Sequence, residues 1–88
     1  MRVYSIEYKK TALKEMTKLP KNIAAAIDSV IYGLRVNPRP HGYIKLKGNN
    51  KLYRIRSGDY RIIYEIKNNV LVILIVTIGH RKDIYRLK

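Results

Sequence analysis

The stretch from Leu52 to Ile78 constrains this chain more than any other. Three runs rich in Ile, Val, Leu and Tyr (Leu52 to Ser57, Tyr60 to Lys67 and Val70 to Ile78) are separated by Gly58-Asp59 and Asn68-Asn69. Apolar alternation broken by turn dipeptides of this kind predicts consecutive β-hairpins. Because strand side chains alternate between faces, the hairpin register decides which residues share a surface. A two-residue loop at Gly58-Asp59 pairs Ser57 with Tyr60, Arg56 with Arg61, Ile55 with Ile62, Arg54 with Ile63 and Tyr53 with Tyr64. One face then carries Tyr53, Ile55, Tyr60, Ile62, Tyr64 and Ile66, and the other Arg54, Arg56, Arg61, Ile63 and Glu65. A three-residue loop would mix arginines into the apolar face, so the two-residue register is expected. If Asn68-Asn69 is a second two-residue turn, Leu71, Ile73 and Ile75 extend the apolar face. Val72, Leu74 and Val76 then extend the arginine face, with Val76 opposite Arg61.

The residues before this sheet supply a cover for its apolar face. Val3 to Tyr8 reads as a strand. Ala12, Leu13 and Met16 recur at helical spacing, with Leu19 just beyond. Pro20 suits the first turn of a second helix, in which Ile23, Ile27, Val30, Ile31 and Leu34 form a stripe. Pro38 and Pro40 end it near Asn37. Arg39 to Asn50 is a connecting loop with a short extended piece, Ile44 to Lys47. The expected order is β-α-α-β-β-β. This is an α+β domain spanning residues 1–88, with two N-terminal helices on one face of a mainly antiparallel four-stranded sheet.

Charge narrows the function classes. Nineteen Lys and Arg stand against six Asp and Glu, a formal net charge of +13 on 88 residues. Such an excess favours polyanionic partners through counterion release. Arginines on an open sheet face also serve solubility. Yet Arg56 opposite Arg61 opposes folding, since like charges across a ladder repel. Three arginines converging on one tight hairpin point to an anion site. No cysteine is present, two histidines and scattered carboxylates give no metal-ligand spacing, and no phosphate-binding glycine loop is found, so neither metal nor cofactor is expected. The longest apolar stretch, Val70 to Val76, is far short of a membrane span, and the N-terminus does not read as a signal peptide. A cytoplasmic protein without membrane contact is expected.

Two segments carry a resemblance. Tyr53-Arg54-Ile55-Arg56-Ser57-Gly58-Asp59-Tyr60-Arg61-Ile62-Ile63-Tyr64, followed by Gly79-His80-Arg81-Lys82-Asp83-Ile84-Tyr85, resembles the RelE branch of the RelE/ParE toxin superfamily. The likeness extends to Ala12-Leu13-Lys14, Leu19-Pro20 and Lys45-Leu46-Lys47-Gly48. The Gly-His-Arg…Tyr ending favours RelE over the gyrase-poisoning ParE branch. The resemblance implies a ribosome-dependent endoribonuclease that cuts messenger RNA in the decoding site. It also implies a cognate antitoxin that wraps the toxin, with operator DNA bound only through that complex.

Carried over residue by residue, the resemblance places Arg54 and Arg56 where the best-studied member has two lysines, base and charge stabiliser. Arg61 matches an arginine that grips the scissile phosphate, and Arg81 one that stabilises the transition state or protonates the leaving group. Tyr85 matches a tyrosine that orients or stacks on the substrate base. Lys45, Lys47, Lys51, Lys82 and Arg86 are further candidates for RNA or ribosome contact. Arginine stays protonated and is a poor proton acceptor, which departs from the family pattern. His80 is the local side chain with a suitable ordinary pKa. The expectation is that His80, or the ribosomal RNA and substrate themselves, takes the proton while Arg56, Arg61 and Arg81 hold the phosphate. The antitoxin is expected to present an acidic, amphipathic segment to the arginines and to an aliphatic floor of Ile63, Val72, Leu74 and Val76. Inhibition of DNA gyrase and a non-catalytic basic binding toxin are the alternatives.

Overall fold

The computed structural model describes residues 3–48 and 51–84. Its elements run β1 (Ser5–Tyr8), α1 (Lys10–Thr17), α2 (Lys21–Leu34), β2 (Ile44–Lys45), β3 (Leu52–Ser57), β4 (Tyr60–Lys67), β5 (Val72–His80) and α3 (Arg81–Ile84). The strands form one sheet in the order β1-β5-β4-β3-β2. β1 lies parallel to β5 and the other neighbours are antiparallel. The α+β class is as expected, but the sheet has five strands rather than four. The extra strand is the short extended piece: Ile44 pairs with Arg54 and Lys45 with Tyr53, extending the sheet past β3.

The β3–β4 hairpin has the expected register throughout, from Ser57 opposite Tyr60 to Tyr53 opposite Tyr64. Gly58 sits at φ 58°, the left-handed region that favours glycine and that a two-residue turn requires. The β4–β5 hairpin differs. Lys67 pairs with Val72 rather than Val70, so the connection spans residues 68–71. Leu71 adopts φ 54° there while its side chain packs on the core, and the Tyr4 hydroxyl donates to Asn68 Oδ1 at 2.7 Å. These contacts hold a longer turn than the Asn-Asn dipeptide predicts. The register slips by two residues, which preserves the faces of Val72 to Ile75 because the strand period is two.

A bulge between Ile63 and Tyr64 then reverses the faces. Tyr64 pairs with Ile75 but Ile63 with Thr77, leaving Val76 as the extra residue. Gly79, not Val76, therefore stands opposite Arg61. Beyond the bulge, Ile78 returns to the core face opposite Ile62. Ile63 is buried and Val76 sits at the bulge, so the aliphatic floor reduces to the half-buried Val72 and Leu74.

The core collects Ile27, Ile31 and Leu34 of α2 with Ile55, Ile62, Tyr64, Ile73, Ile75 and Ile78 of the sheet. The α2 stripe is as the spacing predicts. In α1, Ala12 is buried and Met16 packs against the core, whereas Leu13 stands half exposed. No helix of the described residues is long and apolar enough to cross a membrane.

Tyr64 is fully buried, and its hydroxyl donates to the Pro38 carbonyl at 2.8 Å. Burial pushes its phenol well above the ordinary value near 10, outweighing the nearby Arg39 charge. Burial, with Asp28 alongside, also raises the Tyr8 phenol. The unfolded chain therefore releases these protons first. Their contribution to stability is complete below about pH 10 and is lost as pH rises further. Tyr64→Phe is expected to flatten this alkaline loss, at a cost of about 1 kcal/mol at neutral pH for the missing bond. Urea unfolding across the alkaline range checks it; a slope equal to wild type contradicts it.

Candidate active site

The register gathers three arginines on the sheet face away from α2. Arg56 is exposed, Arg54 half-buried, and Arg61 only 8% exposed. Arg61 Nη1 donates to the carbonyls of Gly58 and Tyr60, both at 3.2 Å. Its guanidinium thus folds back over the hairpin turn. Two carbonyl dipoles take up part of a charge that would otherwise repel Arg56 across the ladder.

The tail brings in a fourth arginine. α3 follows β5 without a break, and its Ile84 packs over Gly79, directly opposite Arg61. A Cβ on Gly79 would lie 3.3 Å from Ile84 Cδ1, so the glycine is the seat on which α3 rests. The Arg81 N–H donates to the Asp59 carbonyl at 2.7 Å, and Arg81 Nε lies 3.9 Å from Asp59 Oδ1. Both of these side chains are more than half exposed, so the ion pair contributes little and the backbone bond is the anchor. One turn, Gly58-Asp59, therefore holds Arg61 from one side and the Arg81 backbone from the other.

Gly79→Val is expected to lift α3 from the sheet. It should cost about 1–3 kcal/mol through overpacking and release the Arg81 amide to exchange. Denaturant unfolding and amide exchange read the two effects. An Arg81 amide as protected as in the native protein contradicts the packing.

The remaining predicted residues are spread more widely. His80 stands opposite Tyr60, its ring edge-on at 5.5 Å, on the side of Ile62 and Ile78 rather than that of Arg56 and Arg61. Its Nδ1 accepts the Lys82 N–H at 3.2 Å, so it acts as a cap on α3. Lys45 shares the face of Tyr53, and Lys47, Lys51 and Lys82 are exposed. Tyr85 and Arg86 lie outside the described residues. Sequence reasoning missed Asp59, which read only as a turn residue. It also missed the stack of Tyr64 on Tyr53 with Tyr43 and Arg39 against Tyr53, which packs the 37–43 loop onto the sheet. Elsewhere, an open groove of about 620 Å³ between β1 and α2 is lined by Ile6, Tyr8, Asp28, Tyr32 and Arg35.

Planar, always-charged guanidinium groups at one end of the sheet match phosphate oxygens well. Among the described residues no group of three or more His, Asp or Glu side chains converges. The site can hold and polarise a phosphodiester through preorganised donors.

Comparison with known proteins identifies the family. Residues 6–85 match the family model described as the ParE toxin of a type II toxin–antitoxin system, parDE. The chain is 31% identical to Toxin RelG of Mycobacterium tuberculosis, over 94% of this chain and 97% of that one. It is 33% identical to Toxin RelE of the same organism, over 96% and 88%. The fold superposes on the archaeal RelE–RelB complex from Pyrococcus horikoshii with a TM-score of 0.81 at 31% identity, covering 92% of this chain and 98% of that one. The family model spans nearly the whole chain, and relatives named RelG and RelE match 94% and 96% of it. This chain belongs to the RelE/ParE superfamily of type II toxin–antitoxin toxins and is a RelE-type toxin.

Proposed function

We propose that the protein is a metal-independent endoribonuclease that cuts messenger RNA on the ribosome, in the decoding site. The observation that supports this reading is the anchoring of the Arg81 backbone on the turn that joins Arg56 to Arg61. In the reaction the 2′-oxygen attacks the adjacent phosphorus and the P–O5′ bond breaks. The products are a 2′,3′-cyclic phosphate and, once the leaving oxygen takes a proton from water, a 5′-hydroxyl. Arg56 and Arg61 neutralise the phosphate oxygens, and Arg81 stabilises the charge that builds on the leaving oxygen. Arg54, Lys45, Lys47, Lys51, Lys82 and Arg86 add attraction for the RNA backbone, and Tyr85 stacks on a base.

His80 fits a structural part in this scheme. With Nδ1 accepting from Lys82, the neutral ring carries its proton on Nε2, and its register sets it on the far side of the sheet from Arg61. The 2′-OH proton then passes to the ribosome or to the message itself. Purified protein mixed with message-loaded ribosomes should produce cyclic-phosphate ends, and the same message without ribosomes should survive. Cleavage of naked RNA at equal rate would sink ribosome dependence. Gyrase inhibition is the second reading, favoured only by the ParE family model; a supercoiling assay with the purified protein separates the two.

The solved RelE–RelB complex shows that a similar protein assembles with RelB. This likeness supports an antitoxin partner for the chain; a cytoplasmic location and operator DNA bound through the pair are part of the same proposal. An acidic, amphipathic segment would cover the arginines together with Val72 and Leu74. Leu74→Asp is expected to weaken antitoxin binding about 30-fold, as burial of an unpaired charge at an interface anchor does. Calorimetric titration with the antitoxin checks it, and native affinity removes Leu74 from the interface.

A further inference from the structure

We infer that Glu15 is a positioning residue for the Arg81 segment, its carboxylate standing in for an edge strand that β5 lacks at Thr77 and Ile78. β1 accompanies β5 only as far as Ile75, whose carbonyl accepts the Lys9 N–H at 2.9 Å. From there to His80, β5 has a strand neighbour, β4, on one side only. α1 packs along the open side. Glu15 Oε1 accepts the Thr77 hydroxyl at 2.8 Å and the Ile78 N–H at 2.9 Å. Thr77 is 8% exposed and Ile78 1%, so these donors have little access to water if the carboxylate is removed.

The location gives the contact its consequence. The two bonds fall just past the bulge between Ile63 and Tyr64, where the ladder is locally interrupted and the strand phase least secure. A slip of one residue there would exchange the faces of Thr77 and Ile78 and withdraw Gly79 from beneath Ile84. The seat of α3, and with it Arg81, would be lost. Glu15 fixes that phase from α1, a separate element.

The claim that this affects catalysis rests on the nuclease reading, so the test has two readouts in the full chain. In Glu15→Ala the Ile78 amide should exchange at least about tenfold faster and the Arg81 amide resonance should move. The single-turnover rate at saturating message-loaded ribosomes should fall about tenfold, with the half-saturating ribosome concentration unchanged. Glu15→Gln should restore both, because its amide oxygen accepts the same two bonds. An unmoved Arg81 resonance in Glu15→Ala, or a Glu15→Gln protein as impaired as Glu15→Ala, overturns the inference. Should Glu15→Ala fail to fold, Thr77→Val, which removes one of the two bonds and keeps the Ile78 bond, must still shift the Arg81 resonance from its native position; no shift overturns the inference. If the native protein does not cleave, the nuclease reading falls, and the resonances alone still decide the positioning claim.

Discussion

An Arg81→Ala protein is expected to fold as the native protein does and to cleave messages about a hundredfold to a thousandfold more slowly, the loss that follows removal of one preorganised donor to a developing oxyanion. Its fold is spared because the anchor is the backbone: the Arg81 N–H still reaches the Asp59 carbonyl, and the side chain is 54% exposed. Arg61→Ala should match it in activity but not in stability. Arg61 is 8% exposed and its guanidinium bonds the carbonyls of Gly58 and Tyr60, so its removal also loosens the turn. Single-turnover cleavage paired with thermal unfolding distinguishes the two. An Arg81→Ala enzyme with native rates removes Arg81 from the chemistry.

The largest stability effect is expected at Ile62→Ala. Ile62 is fully buried in β4, the central strand, between Ile55 and Ile78. Deleting its side chain leaves a cavity that the neighbouring strands can fill only by distorting their ladders, at about 2–5 kcal/mol. A domain of this size has roughly 5–15 kcal/mol in total, so a large part of its stability is lost. Urea unfolding reads the change as a lower midpoint. A shift under about 1 kcal/mol would mean that the site collapses freely, against the close packing described here.

These two predictions differ in how far the sequence led to them. Ile62 and the pairing of Arg56 with Arg61 were legible because Gly58-Asp59 permits a tight turn and only one register separates charge from apolar surface. The second hairpin misled. Asn68-Asn69 has the chemistry of a two-residue turn, and nothing local reveals that Leu71 takes a left-handed conformation or that Tyr4, far off in the chain, binds Asn68. The bulge at Val76 was invisible for the same reason, and it decides the neighbours of Arg61 and the side on which His80 lies. The parallel pairing of β1 with β5 and the docking of β2 are long-range choices without a local signal. The arginines of the site could thus be named from the sequence. The place of Arg81 at the Asp59 turn, the seat on Gly79 and the carboxylate of Glu15 could not.

The arginine site is the centre of this account, and mapping 5′ ends of translated messages after brief induction in cells tests it most directly. New 5′-hydroxyl ends phased to codons are expected inside translated regions only, and they should disappear with Arg81→Ala. Growth arrest without such ends, or phased ends that persist with Arg81→Ala, would contradict it.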